Sequence, residues 1–215
     1  MWYTSPVTLT EQLLTFLEPA PDPRPGESFR AYLERLELLD HGFYFTELVD
    51  GSSNHRQPAP MFWKNLARTL ALANVFRERV RAAGGAAGCN VAAAYRPSGG
   101  ASNSAHKYGK ALDLDAVKPR NTAVYFAEAV RLWCEFGRRF DMGLGLYTWS
   151  RWNKTGIRVH LDTGHGCRSW QGVSLGPKFA RPYKILGSDG RVHQLGLPVY
   201  LANQMGLDVP SLSYL

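Results

Sequence analysis

The chain is short of several things. Its three cysteines, Cys89, Cys134 and Cys167, fit neither a disulfide framework nor the paired spacing of a zinc knuckle. Cys134 falls in a helical apolar pattern and reads as core, and whether Cys89 and Cys167 pair stays open. No apolar run approaches the roughly 18 residues that a membrane-spanning helix needs. The opening "MWYTSPVTLTEQLL" lacks a basic stretch followed by an apolar one, so no secretory signal is expected there. A role outside the cytoplasm would then need another delivery route. Internal repeats and low-complexity tracts are also missing.

What is present suits one domain with a buried core. Hydrophobic residues make up 45% of 215, and charged residues 20%. Lys and Arg number 25 against 18 Asp and Glu, a net charge of +7 that favours acidic partners such as nucleic acid, anionic lipid or anionic wall polymer. The charge is scattered, however. Its densest clusters, "RERVR" and "GRRF", lie inside predicted helices and read as solvated helix faces. A basic stripe with interleaved aromatics is missing, so nucleic acid is not expected as a partner.

Helices fill the first half. Thr8-Leu9-Thr10-Glu11 resembles a capping box that starts a short helix running to about Leu17. "PAPDPRPG" makes a stiff linker. Phe29, Leu33, Leu36 and Leu39 recur at helical spacing, and "HGFYFTELVDGSSNHRQPAP" is mostly loop, with room for a short strand at Phe43–Phe45. Pro60 opens the clearest helix, with Phe62, Leu66, Leu70, Ala73, Phe76 and Val80 on one face and Gly84-Gly85 at its end. Asn121 caps another, carrying Phe126, Val130, Trp133 and Phe136, and a last short helix is expected near Val199–Met205. Strands gather in the second half. "CNVAAAYRP" and "KALDLDA" read as two strands around a turn-rich loop, and "MGLGLYT" and "IRVHLDT" as a hairpin. This order predicts an α+β fold, with helices packed on a small, mostly antiparallel sheet.

Alternation then sorts the side chains. In "IRVHLDT", Ile157, Val159 and Leu161 share one face, and Arg158, His160 and Asp162 the other. In "KALDLDA", Leu112 and Leu114 oppose Asp113 and Asp115. Each strand thus offers an apolar face to the core and an ionisable face that must be solvated or must share a partner. A zinc ion is a natural shared partner, because it accepts imidazole nitrogen and carboxylate oxygen. His106, Asp113 and His160 would supply such a set. His41, His55, His165 and His193 have no comparable pattern and read as loop or surface residues.

The stretch "YRPSGGASNSAHKYGKALDLD" resembles the Ser-x-His-x-x-Gly-x-Ala-x-Asp signature of the M15 family of zinc D-Ala-D-Ala peptidases. "RVHLDTGHGCRSW" is similar to the later His-x-Asp-Thr-Gly segment of the branch holding VanY-like carboxypeptidases and murein endopeptidases. The resemblance spans roughly Gly42 to Trp170. It implies a peptidase domain over 42–171, a helical extension at 1–41 and a C-terminal extension at 172–215 packed on the domain. It implies zinc held by His106, Asp113 and His160, with Gly109 turning the backbone between the first two ligands. Ser104 and Arg96 would bind substrate, Arg96 also stabilising an oxyanion or anchoring a carboxylate. The substrate implied is a peptidoglycan stem peptide or cross-link, hydrolysed with metal assistance, and a phage-delivered or particle-borne wall enzyme would need no signal. Many members carry Glu or Asp three residues before the last histidine as general base. Here that position is Ile157, so Asp162 is expected as base or as orienter of His160, with Asp115 the other candidate base. The alternative is a wall-binding or virion module that keeps the fold without turnover.

Overall fold

The computed structural model describes residues 20–39, 43–84, 89–98, 102–116, 122–147, 157–164, 166, 169–172, 183–186, 192–195 and 197–210. The expected helix at Thr8–Leu17, the cap at Asn121 and Cys167 lie outside the described residues.

Helix α1 (Phe29–Arg35) starts at Ser28, whose hydroxyl accepts a hydrogen bond from the Ala31 amide. It ends earlier than the apolar spacing suggests, because Glu37 adopts a left-handed backbone (φ 57°). Leu38, not the spacing-predicted Leu39, becomes the fully buried residue after the turn. Phe45–Leu48 forms a short helix, α2, where loop and strand were expected. Its first turn is held by the Glu47 carboxylate, which accepts from the Tyr44 amide. Pro60–Phe62 makes one 3-10 turn that runs into the long helix α3 (Trp63–Ala82), which closes before Gly84 at φ +73°. Helix α4 spans Thr122–Phe140 and α5 Leu197–Gln204.

The main sheet contains β1 (Cys89–Ala93), β2 (Ala111–Ala116), β3 (Gly143–Tyr147), β4 (Arg158–Asp162) and β5 (Ser169–Gly172), ordered β1-β2-β4-β3-β5. All neighbours pair antiparallel except β5, which lies parallel along β3. The fold is therefore α+β, with a mostly antiparallel sheet. A separate two-stranded ladder, β6 (Tyr183–Leu186) with β7 (Val192–Leu195), was not foreseen, and it takes His193 into a strand.

Alternation decides what the sheet buries. Leu112, Leu114, Leu144, Leu146, Val159 and Leu161 are fully buried in one cluster with Leu66, Leu70 and Phe76 of α3 and Val130, Trp133 and Phe136 of α4. Phe29, Tyr32 and Leu33 of α1 and Val199 and Ala202 of α5 belong to the same cluster. Cys89 is buried there as a free thiol, and burial pushes its pKa up to about 12. The leucine face is thus closed by helices, and the register fixes what stands on the other face. No helix among the described residues is long and apolar enough to cross a membrane.

Candidate metal centre

Register brings the ionisable residues together. Asp113 pairs with His160, Asp115 with Arg158 and Ala111 with Asp162 across β2 and β4. On the other side of β4, His160 pairs with Gly145 and Asp162 with Gly143 of β3. Cross-strand partners share a face, so Asp113 stands beside His160 and Asp115 beside Arg158, while Asp162 stands between the small residues Ala111 and Gly143.

His106 reaches this face from outside the sheet. It sits in a 3-10 turn, Ala105–Tyr108, closed by Gly109 in the left-handed region (φ 64°). A Cβ on Gly109 would lie 3.1 Å from the Phe62 carbonyl oxygen, so both conformation and space favour glycine there. The turn is pinned at three points. The Arg96 amide donates to the His106 carbonyl, the Lys110 amide to that of Ala105, and Asn65 Nδ2 of α3 to that of Tyr108.

The donor atoms then converge. One nitrogen from each of His106 and His160 and one oxygen of Asp113 lie within 4.8 Å of one another. His106 Nε2 is 3.4 Å and His160 Nδ1 2.7 Å from the same atom, Asp113 Oδ1. The two rings stand nearly perpendicular, 78° apart, with centroids separated by 5.1 Å. Both histidines are buried, and Asp113 is nearly so.

Each imidazole is held at its remote nitrogen. His106 Nδ1 is 2.7 Å from the Ala94 carbonyl, which can only accept, so Nδ1 donates there and Nε2 is the nitrogen turned toward Asp113. His160 Nε2 lies 3.3 Å from Asp162 Oδ2, a carboxylate with no solvent exposure. Carboxylate or carbonyl support behind a ligating imidazole is the usual way to fix its tautomer and orientation. Tetrahedral bonds of about 2.0–2.1 Å put ligand atoms roughly 3.3 Å apart. The His106–Asp113 spacing already matches that, and the shorter His160–Asp113 contact is a hydrogen bond that a metal would open. The His106–Asp113–His160 group can therefore hold a metal ion.

The charges respond to one another. Burial alone would raise the Asp113 carboxyl, but the charge of His106 and hydrogen bonds from both imidazoles hold it well below the usual carboxylate range. Burial alone would lower His160, but hydrogen bonds to Asp113 and Asp162 lift it to about 9. Arg158 closes the row with Nε and Nη2 donating to the two oxygens of Asp115 at 2.6 and 2.9 Å. Its Nη1 lies 3.9 Å from Asp113 Oδ2, facing the carboxylate oxygen turned away from His160.

The remaining expected residues surround this centre. Arg96 follows β1 and is tied by its amide to the turn of His106. Its Nε is buried and makes no hydrogen bond among the described residues. Ser104 precedes the turn, and its side chain does not cap it. Ile157 is buried in the core cluster, on the far side of β4 from His160. His55 lies in a loop and bonds Asp50. The supports at Ala94 and Gly143 and the grip of Arg158 on Asp115 were not read from sequence. The alternation that places Arg158 beside the ligands was visible, but its partner depends on strand register.

Comparison with known proteins finds no match: no family model, no curated protein and no solved structure.

Proposed function

We propose that the chain is a zinc-dependent peptidase that hydrolyses peptidoglycan stem peptides or cross-links. The observation that carries this reading is the convergence of His106 Nε2, Asp113 Oδ1 and His160 Nδ1, with each ring's other nitrogen already committed to a support. Two neutral imidazoles and one carboxylate suit zinc and leave a net positive centre. The two sequence segments that resemble M15 peptidases supply the substrate class, and the surplus of basic residues favours an anionic wall. Such an enzyme acts at the cell wall, with phage or particle delivery as one route there.

A bound zinc would supply a Lewis acid for the scissile carbonyl and bring the pKa of a water towards about 7. The chain's own groups do the rest. Arg96 offers a planar fork beside the turn of His106, suited to a substrate carboxylate or to a carbonyl oxygen gaining charge. The Ser104 hydroxyl stands at the entrance of the same turn as a substrate hydrogen-bonding group. Asp162 holds the His160 ring and balances positive charge on it.

The second reading, a wall-binding or virion module without turnover, is favoured by a specific observation. The position three before His160 is the buried Ile157, and the two further carboxylates of this face are both engaged, Asp115 by Arg158 and Asp162 by His160. Metal analysis of the purified protein, paired with mass spectrometry of digested peptidoglycan, separates the readings. One zinc per chain with new peptide termini is the expected result. Zinc without cleavage would leave the binding module, and a chain that takes up no zinc would sink the metal centre itself.

A further inference from the structure

We infer that Gly143 is a positioning residue of the metal centre: the side chain it lacks is the space in which the Asp162 carboxylate lies against His160. The inference rests on the reading of His160 as a ligand, and it adds a residue on a strand that contributes no ligand. A Cβ built on Gly143 would meet Asp162 Oδ2 at 2.5 Å, Oδ1 at 2.6 Å and Cγ at 2.7 Å. Every one of these is far inside van der Waals contact, and all three atoms belong to one carboxylate. The group therefore lies across β3, directly over the glycine.

Backbone conformation gives no other reason for this glycine. Gly143 is regular strand, outside the left-handed region that Gly109 and Gly164 occupy, and any residue could adopt its backbone. Strand propensity argues against it as well, since glycine weakens a strand interior unless something approaches closely. What approaches here is a charged group with no solvent exposure. On its other flank Asp162 faces Ala111, also small and fully buried, across the β2–β4 pair. The carboxylate thus has one place to go. From it, Oδ2 reaches His160 Nε2 at 3.3 Å while Nδ1 is turned to Asp113 at 2.7 Å. A methyl group at 143 would push the carboxylate aside, and His160 would lose the contact that sets its rotation.

Three variants test this: Gly143→Ala, Asp162→Ala and the double variant. Zinc affinity is read by competition with a chromophoric chelator, and ligand geometry by the visible spectrum of the cobalt-substituted protein. Gly143→Ala is expected to weaken zinc binding by about 10–100-fold, the scale of losing a supporting group behind a ligand. Asp162→Ala is expected to lose a similar factor. The double variant should be no weaker than Asp162→Ala, because without the carboxylate the new methyl group has nothing to displace. Proton NMR of the metal-free chain gives an independent readout. The His160 Nε2–H signal should be slow to exchange in the wild type and lost in both single variants. Wild-type affinity in Gly143→Ala, or a loss in the double variant that is the product of the two single losses, overturns the inference. A wild type that binds no zinc overturns the metal reading instead, and the NMR signals then decide whether Gly143 holds Asp162 on His160. Circular dichroism on all three identifies any variant that fails to fold. If Gly143→Ala alone is unfolded while the double variant folds, the clash with the carboxylate is demonstrated directly.

Discussion

Metal binding should release a proton, and the site predicts which one. In the metal-free chain, hydrogen bonds to Asp113 and Asp162 overcome burial and lift His160 to about 9, so at neutral pH its ring carries both protons. A ligating Nδ1 must give its proton up. Asp113 is held well below the usual carboxylate range and releases none in the neutral window. Below pH 9 the apparent affinity should therefore fall about tenfold per pH unit. At pH 7 the deficit is about 100-fold, or about 3 kcal/mol, relative to the fully deprotonated ring. Stability carries the opposite sign in the free chain. The raised pKa of folded His160 stabilises the protein fully below its ordinary value of 6.5, and that contribution, on the order of 3 kcal/mol, is lost as pH climbs towards about 9. The rise in Tm on adding zinc should thus grow with pH between about pH 6.5 and 8.5. Calorimetry in two buffers of different ionisation enthalpy counts the protons directly, and about one per zinc is expected at pH 7.5. An affinity that stays flat across this window, with no proton released, would refute the assignment of His160 as the protonated ligand.

Other perturbations follow from the same geometry. His106→Ala removes a buried ligand, and the purified variant should lose its zinc in metal analysis; retention at wild-type affinity would move the site elsewhere. Arg96→Lys keeps the charge but not the fork, so it should slow hydrolysis of stem peptides while leaving zinc content and Tm unchanged. A larger loss on substrates with a free carboxylate beside the scissile bond marks carboxypeptidase-like recognition, and an equal loss on amidated peptides marks carbonyl polarisation. Arg158→Met strands Asp115, and denaturant unfolding should show a loss of about 3 kcal/mol. A change under about 0.5 kcal/mol would mean that solvent satisfies that carboxylate.

Much of this centre was legible in the sequence because it stands on short-range periodicity. Alternation alone separated Val159 and Leu161 from His160 and Asp162, and the structure buries the first pair against the helices. Phe126, Val130, Trp133 and Phe136 likewise announced α4. What stayed illegible depends on contacts distant in sequence. The parallel pairing of β5 with β3 and the β6–β7 ladder rest on short segments whose partners give them their strand character. Helix α2 hid inside a run read as loop, because four residues are too few to show a period and its start hangs on one Glu47 hydrogen bond. Gly143 was visible as a letter, but its purpose lies in a carboxylate 19 positions later, reached only through register.

The placement of the ligands also bears on when the site can exist. His106 and Asp113 are neighbours in the chain, but His160 meets Asp113 from 47 residues away, across two adjacent central strands. A nascent chain that has not yet released β4 from the ribosome holds only two of the three donors. Metal capture by this group would therefore wait until the β2–β4 ladder is zipped. A slip of one residue in that ladder would turn His160 into the leucine face and Leu161 toward Asp113. An ion bound to all three donors can accept only one of those pairings, so the cation would act as a proofreader of strand registration at the end of folding.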